Sequence, residues 1–133
     1  MTTKRVLIID DDKTMVTLMT TLLRKEGLQV AAAFDGASGF MAAQKQRPDL
    51  ILLDMQMPAG GGDAVWKRLA SSAHTAAIPV VYVTATADPG FAAQAEAQGA
   101  AGVIRKPFDP EHFAERVMDH FKRATGQMEK IDE

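Results

Sequence analysis

The chain has 133 residues, room for one domain with a real core and too little for two. Apolar residues make up 47% and charged residues 24%, which excludes a disordered chain. The formal charge of −2 and the pI near 5.9 exclude a global basic field that would attract nucleic acid or anionic lipid.

The absence of cysteine removes disulfides, thiolate metal sites and thiol nucleophiles, and it suits a reducing compartment. No apolar run approaches the ~18 residues of a membrane span. Met1-Thr2-Thr3-Lys4-Arg5 leads into only four apolar residues, too few for a signal peptide, so a cytoplasmic protein without a membrane anchor is expected.

In chain order, two periods alternate. Val6 to Ile9 is a short continuous apolar run, the pattern of a strand buried on both faces. Met15, Leu18, Met19, Leu22 and Leu23 recur at helical spacing, and Gly27 stands where that helix would stop. Leu28 to Phe34 reads as a second strand, and Ala37, Phe40 and Met41 mark a second helix ending before Pro48. Leu50 to Leu53 is a third buried strand, followed by the loop Met57-Pro58-Ala59-Gly60-Gly61-Gly62. A helix from about Asp63 turns Val65, Trp66 and Leu69 inward. Ile78 to Val83 is a fourth, β-branched strand.

Asp88-Pro89 predicts a helix start, with Asp as cap and Pro at the first helical position. That helix, Phe91 to Gln98, is Ala-rich with a weak apolar face and closes at Gly99. Val103-Ile104 forms a short fifth strand, and Pro110 opens a last helix lined by Phe113, Val117 and Phe121. Residues 1–124 are expected to form the domain and 125–133 a polar, frayed tail.

Five strands, each followed by a helix, imply a doubly wound α/β fold with a parallel sheet covered on both faces. Ligands of such sheets bind beyond the carboxyl ends of the strands, where strand order reverses. Asp10-Asp11-Asp12 follows the first strand, Asp54 the third, Thr84 the fourth and Lys106 the fifth. Asp12 suits a cap for the first helix, but capping does not account for three carboxylates. Crowded carboxylates repel unless a cation neutralises them, and hard oxygen ligands select Mg²⁺ or a similar ion. A metal with a lysine and a threonine alongside makes a site for a dianionic phosphoryl group. Each residue alone has a plainer reading; their coincidence at four equivalent positions does not.

The order and spacing of Val6-Leu7-Ile8-Ile9-Asp10-Asp11, Leu53-Asp54-Met55-Gln56-Met57-Pro58, Val83-Thr84-Ala85 and Lys106-Pro107-Phe108 resemble the receiver domain of bacterial response regulators. The resemblance runs from Lys4 to about Arg123. It implies the flavodoxin-like strand order 2-1-3-4-5, for which a receiver of this family is itself a standard example. It further implies phosphorylation on Asp54 by a sensor histidine kinase or histidine phosphotransfer protein, with Mg²⁺ as cofactor. Asp10, Asp11, Asp54 and the backbone carbonyl of Gln56 would hold the metal. Thr84, Ala85 and Lys106 would bind the phosphoryl group and act as the switch, and Gln56 and Thr86 would tune dephosphorylation. Lys106-Pro107 is expected to be a cis peptide that aims Lys106 inward. Such a domain is a phosphoacceptor in two-component signalling, not an enzyme, catalysing only its own phosphorylation and dephosphorylation.

Two departures from the family pattern stand out. Gly61-Gly62, preceded by Gly60, replaces a common Asp-Gly, so a mobile loop is expected beside the site. Val103 stands where the fifth strand often carries an aromatic, so the switch is expected to work without an aromatic flip. A rival reading takes Asp10 to Thr14 as the nucleophile motif of a haloacid-dehalogenase-type phosphatase, with Asp10 as nucleophile and Asp12 as acid/base. That family wants a further acidic pair beyond the lysine, and the rival leaves Asp54 unexplained.

No output domain is evident between Met1 and Glu133. The expected route for the signal is a downstream protein docked on the face of the fourth helix, fifth strand and fifth helix, or a phosphorylation-dependent dimer. Direct nucleic-acid contact is not expected, because Lys122-Arg123 is too small a basic cluster. His74, His112 and His120 read as solvated rather than metal-binding, and the methionines as core filler.

Overall fold

The computed structural model describes residues 3–58 and 61–126. Arg5–Ile9 (β1), Gln29–Ala33 (β2), Leu50–Leu53 (β3), Val80–Thr84 (β4) and Gly102–Arg105 (β5) form one parallel sheet in the order β2-β1-β3-β4-β5. Lys13–Arg24 (α1), Gly36–Gln46 (α2), Gly61–Ser71 (α3), Phe91–Ala97 (α4) and Phe113–Thr125 (α5) follow the strands in turn. The alternating α/β fold and its expected strand order are therefore observed. The tail from 127 and residues 59–60, Gly60 among them, lie outside the described residues.

The continuous apolar strands are explained by two cores. Val6 and Ile8 of β1 pack with Val16, Met19, Leu23, Phe113 and Val117 of α1 and α5. Leu7 and Ile9 point the other way, to Ala43 of α2, Val65 and Leu69 of α3, and Phe91 and Ala95 of α4. Successive strand residues serve opposite cores, so neither set can be polar. Each such side chain buried contributes about 1.5–3 kcal/mol relative to exposure.

Asp12 caps α1 as expected, its Oδ1 accepting from the Met15 amide at 3.1 Å. Asp35 caps α2 through the Ser38 amide at 2.8 Å, a bond that draws its carboxyl below the usual range. Two helix starts differ from expectation. Asp88 accepts from the Gly90 amide two residues on, at 2.9 Å, so it closes a tight turn and α4 begins only at Phe91. Asp109 likewise takes the Glu111 amide at 2.9 Å, and α5 begins at Phe113, beyond Pro110. In both turns one carboxylate oxygen takes the second amide, which closes a tight turn ahead of the helix.

The inner face of α2 is also corrected. Ala37 is exposed, Met41 is 67% exposed, and Gly39 and Ala43 face the sheet instead. A Cβ on Gly39 would lie 2.7 Å from the Ile9 side chain, so only small residues let this helix lie so close.

His120 is not a solvated histidine. It is half-buried on α5 against Gly102 of β5, where a Cβ would fall 2.2 Å from its Nδ1. Burial, then Arg123 and Arg116, hold its pKa below the ordinary 6.5, against the opposing charges of Glu96 and Asp119. A base depressed by folding contributes stability that is present above pH 6.5 and lost as pH falls through the folded value. Thermal melts from about pH 7.5 to about pH 5 should therefore show the wild type losing more melting temperature than His120→Gln; equal losses would exclude this role.

Candidate functional site

The site is assembled by register. Ile9 and Leu53 are partners in β1 and β3, so the next residues, Asp10 and Asp54, leave the sheet side by side. The Asp54 amide donates to the Ile9 carbonyl at 3.0 Å, extending the ladder by one bond. Thr84 partners Arg105 across β4 and β5, and the Lys106 amide donates to the Thr84 carbonyl at 2.9 Å. The β1–β3 and β4–β5 pairs thus deliver two carboxylates, a hydroxyl and an ammonium to one edge.

Asp10 is 1% exposed and Asp54 6%, while Asp11 stands out in solvent. One carboxylate oxygen from each of the three lies within 4.8 Å of the others. Lys106 Nζ bridges the buried pair, 2.7 Å from Asp10 Oδ2 and 3.4 Å from Asp54 Oδ2. The Lys106-Pro107 peptide is cis, as the resemblance implied. Backbone amides hold the remaining oxygens: Asp12 donates to Asp10 Oδ1 at 2.9 Å, and Gln56 to Asp54 Oδ1 at 3.0 Å.

Burial pushes the Asp10 carboxyl above its ordinary value, against the bonds from Lys106 and the Asp12 amide. Burial alone would lower Lys106, but the hydrogen bond and charge of Asp10, then those of Asp54, more than offset it, so its pKa is raised. The lysine therefore stays an ammonium.

Thr84 is wholly buried, and its Oγ1 has no hydrogen-bond partner among the described residues. Ala85 is exposed and Thr86 half-buried, in the loop between β4 and α4. Gln56 is exposed at the rim. Val103 is half-buried against the core shared by α3 and α4, distant in kind from any titrating or bonding role.

Gly61 and Gly62 serve close approach. Gly61 opens α3 at φ +64°, and a Cβ there would sit 2.7 Å from the Met55 carbonyl oxygen. Gly62 is tighter: its Cβ would lie 2.5 Å from the Asp54 carbonyl oxygen. The expected mobile loop is thus corrected for Gly61 and Gly62, which are part of α3.

Two features escaped the sequence reading. Arg105, one residue before Lys106, reaches two carbonyls of the loop after β4, those of Thr86 and Asp88. Tyr82 of β4 contacts Trp66 of α3 and Phe91 of α4, at ring separations of 6.0 and 5.3 Å. Burial, and then Asp63, raise the Tyr82 phenol above its ordinary pKa. The half-buried position of residue 105 follows from strand alternation, but no motif signals its bonds.

A second cluster, Asp109, Glu111 and His112, is fully exposed, with His112 Nδ1 already 2.7 Å from Asp109 Oδ2. That bond raises the imidazole and lowers the carboxyl.

Comparison with known proteins agrees with this geometry. Residues 6–118 match the family model described as the response regulator receiver domain. Protein PilH of Pseudomonas aeruginosa is 36% identical over 113 residues, covering 85% of this chain and 93% of its own length. The DNA-binding response regulator MtrA of Mycobacterium tuberculosis is 33% identical over 120 residues, 90% of this chain and 51% of MtrA. The chain thus spans about half the length of these DNA-binding relatives. The chemotaxis protein CheY4 of Vibrio cholerae superposes with a TM-score of 0.81 at 28% identity, covering 89% of this chain and 98% of that one.

The phosphatase reading gains no support from these matches, and the structure opposes it. Asp12, its acid/base, is engaged as the α1 cap, and no acidic strand end follows β5 among the described residues. From its first strand to its last helix, this chain belongs to the response regulator receiver domain family.

Proposed function

We propose that Asp54 is the phosphoacceptor of this receiver, loaded by a histidine kinase or histidine phosphotransfer protein and read out by a protein partner. The observation that carries the reading is the Lys106 ammonium held between the buried carboxylates of Asp10 and Asp54. Both Asp10 oxygens are engaged at short range, at 2.9 and 2.7 Å. Asp54 Oδ2 has only the longer 3.4 Å contact, which leaves it the freer nucleophile. Its oxygen forms the new bond to phosphorus as the donor's P–N bond breaks, and the electron pair leaves on the imidazole nitrogen.

The donor set suits Mg²⁺, which receiver domains generally bind at an acidic pocket: three carboxylates, no thiolate or imidazole, and a single ammonium that leaves the cluster short of positive charge. Asp10, Asp11, Asp54 and the Gln56 carbonyl would hold the ion, which offsets charge on the phosphoryl oxygens in transit. Lys106 then pairs with a phosphoryl oxygen, and the unpartnered Thr84 hydroxyl bonds another. Gln56 and Thr86 border the approach of the hydrolytic water, so they tune the lifetime without supplying chemistry. The domain catalyses only its own loading and unloading, and the surface of α4, β5 and α5 carries the output to a protein partner or a second copy.

Incubation with acetyl phosphate and Mg²⁺ should add one phosphoryl group to the intact mass, an addition that does not occur when EDTA is present from the start and is absent in Asp54→Asn. Equal labelling of Asp54→Asn and the wild type overturns the assignment.

A further inference from the structure

Arg105 is the partner of Thr84 in the register of β4 and β5, so its side chain starts beside the loop of residues 85–90. The guanidinium donates two hydrogen bonds into that loop, Nη1 to the Thr86 carbonyl and Nη2 to the Asp88 carbonyl at 3.0 Å. A planar fork on two carbonyls fixes a loop in a way that a point charge cannot. The loop's own side-chain bonds are local, from the Asp88 amide to Thr86 Oγ1 at 3.4 Å and from the Gly90 amide to Asp88 Oδ1 at 2.9 Å. Neither ties it to the sheet; Arg105 does.

In this pinned arrangement, Thr84 Oγ1 is buried and has no hydrogen-bond partner among the described residues. A buried hydroxyl without a partner carries a desolvation cost with no bond to offset it. The resting loop is therefore held in a geometry that is poor for Thr84, and a neighbouring state with an acceptor at hand is favoured by that residue. On the same face of β5, Val103 has no group that could bond the loop, so the restraint falls on Arg105.

We infer that Arg105 is a positioning residue that restrains the loop after β4 in the unphosphorylated state, and that its two carbonyl bonds set how readily the site accepts a phosphoryl group. This rests on Asp54 and Thr84 acting as proposed above. Phosphorylation must loosen or break the fork before Thr84 can turn to the phosphoryl oxygens. Removing the fork takes stability from the resting state and leaves the loaded state less affected, so the balance moves toward loading.

Calorimetric titration of the Mg²⁺-saturated protein with beryllofluoride, a phosphoryl mimic, measures that balance. Arg105→Met keeps an apolar stem without donors and should bind beryllofluoride about fivefold tighter, the equivalent of one net hydrogen bond removed from the resting state. Amide exchange across residues 84–90 of the unliganded variant should quicken. Arg105→Lys keeps the charge but cannot fork, so it should shift the affinity the same way by less, and it carries the test if Arg105→Met does not fold. Unchanged or weaker affinity in a folded variant overturns the restraint, as does an Arg105→Lys protein identical to wild type. Asp54→Asn is the control and should bind none. A wild type that binds none fails at the phosphoacceptor step, a result distinct from failure of the clamp, and it removes the ground of both.

Discussion

Lys106→Met should cost the metal-free protein about 3–5 kcal/mol, the range for leaving one half of a buried ion pair unpaired. Nζ has 11% of its side chain exposed and bridges Asp10, at 2% side-chain exposure, and Asp54, at 7%. Screening by solvent is weak at such burial, so this pair does not fall in the near-zero class of surface ion pairs. Without the ammonium, two carboxylates face each other with only backbone amides for company. In a domain of this size the loss corresponds to a melting temperature lower by on the order of 10 °C, measured in EDTA.

Two further measurements separate charge from packing. Saturating Mg²⁺ should restore part of the loss in Lys106→Met, about 1.4 kcal/mol at ten times the dissociation constant, because the ion binds the assembled carboxylates and scarcely the unfolded chain. Adding Asp10→Asn to Lys106→Met should also raise the metal-free melt, since it removes one of the two stranded charges. A Lys106→Met protein that melts with the wild type in EDTA would show that the bridge contributes nothing to the resting site.

How much of this was readable beforehand follows from what each feature depends on. Asp10, Asp54, Thr84 and Lys106 are strand-end residues, and a parallel sheet with buried strands puts all strand ends on one edge. Their convergence needs only the alternation of periods, which Val6 to Ile9 and Leu50 to Leu53 display without interruption. The exposed side of Met41 and the inward side of Gly39 were not readable, because hydrophobicity marks a face only where the helix has room for large side chains. Asp88 looks like a helix cap and Pro110 like a helix opener, yet Asp88 and Asp109 each give one carboxylate oxygen to the amide two residues away, a choice made by the loop and not by composition. The bonds of Arg105 span 19 and 17 residues and end on carbonyls, which every residue has, so no side-chain pattern could announce them.

Gly62→Ala should be among the most damaging single-methyl additions to this chain, and Gly27→Ala among the mildest. At Gly62 the new Cβ would lie 2.5 Å from the Asp54 carbonyl oxygen and 2.8 Å from the Met55 Cα, both backbone atoms that no rotamer change can clear. Relief requires α3 to back away from the segment that carries the phosphoacceptor. Overpacking of this kind costs about 1–3 kcal/mol and more where the backbone must shift. At Gly27, φ is +86° but nothing lies within 4 Å of the new Cβ. Only the left-handed conformation is penalised there, at about 1–2 kcal/mol. Gly102→Ala falls between, because its 2.2 Å clash is with the His120 ring, a side chain that can swing aside at the expense of its packing. The decisive readout is function beside stability. Gly62→Ala should slow labelling by acetyl phosphate at a temperature where the variant is still folded, since Asp54 is displaced with its own carbonyl. Gly27→Ala should label at the wild-type rate. If Gly62→Ala melts and labels like wild type, then α3 does not depend on the missing Cβ to lie against Asp54, and the close approach is not what fixes the acceptor.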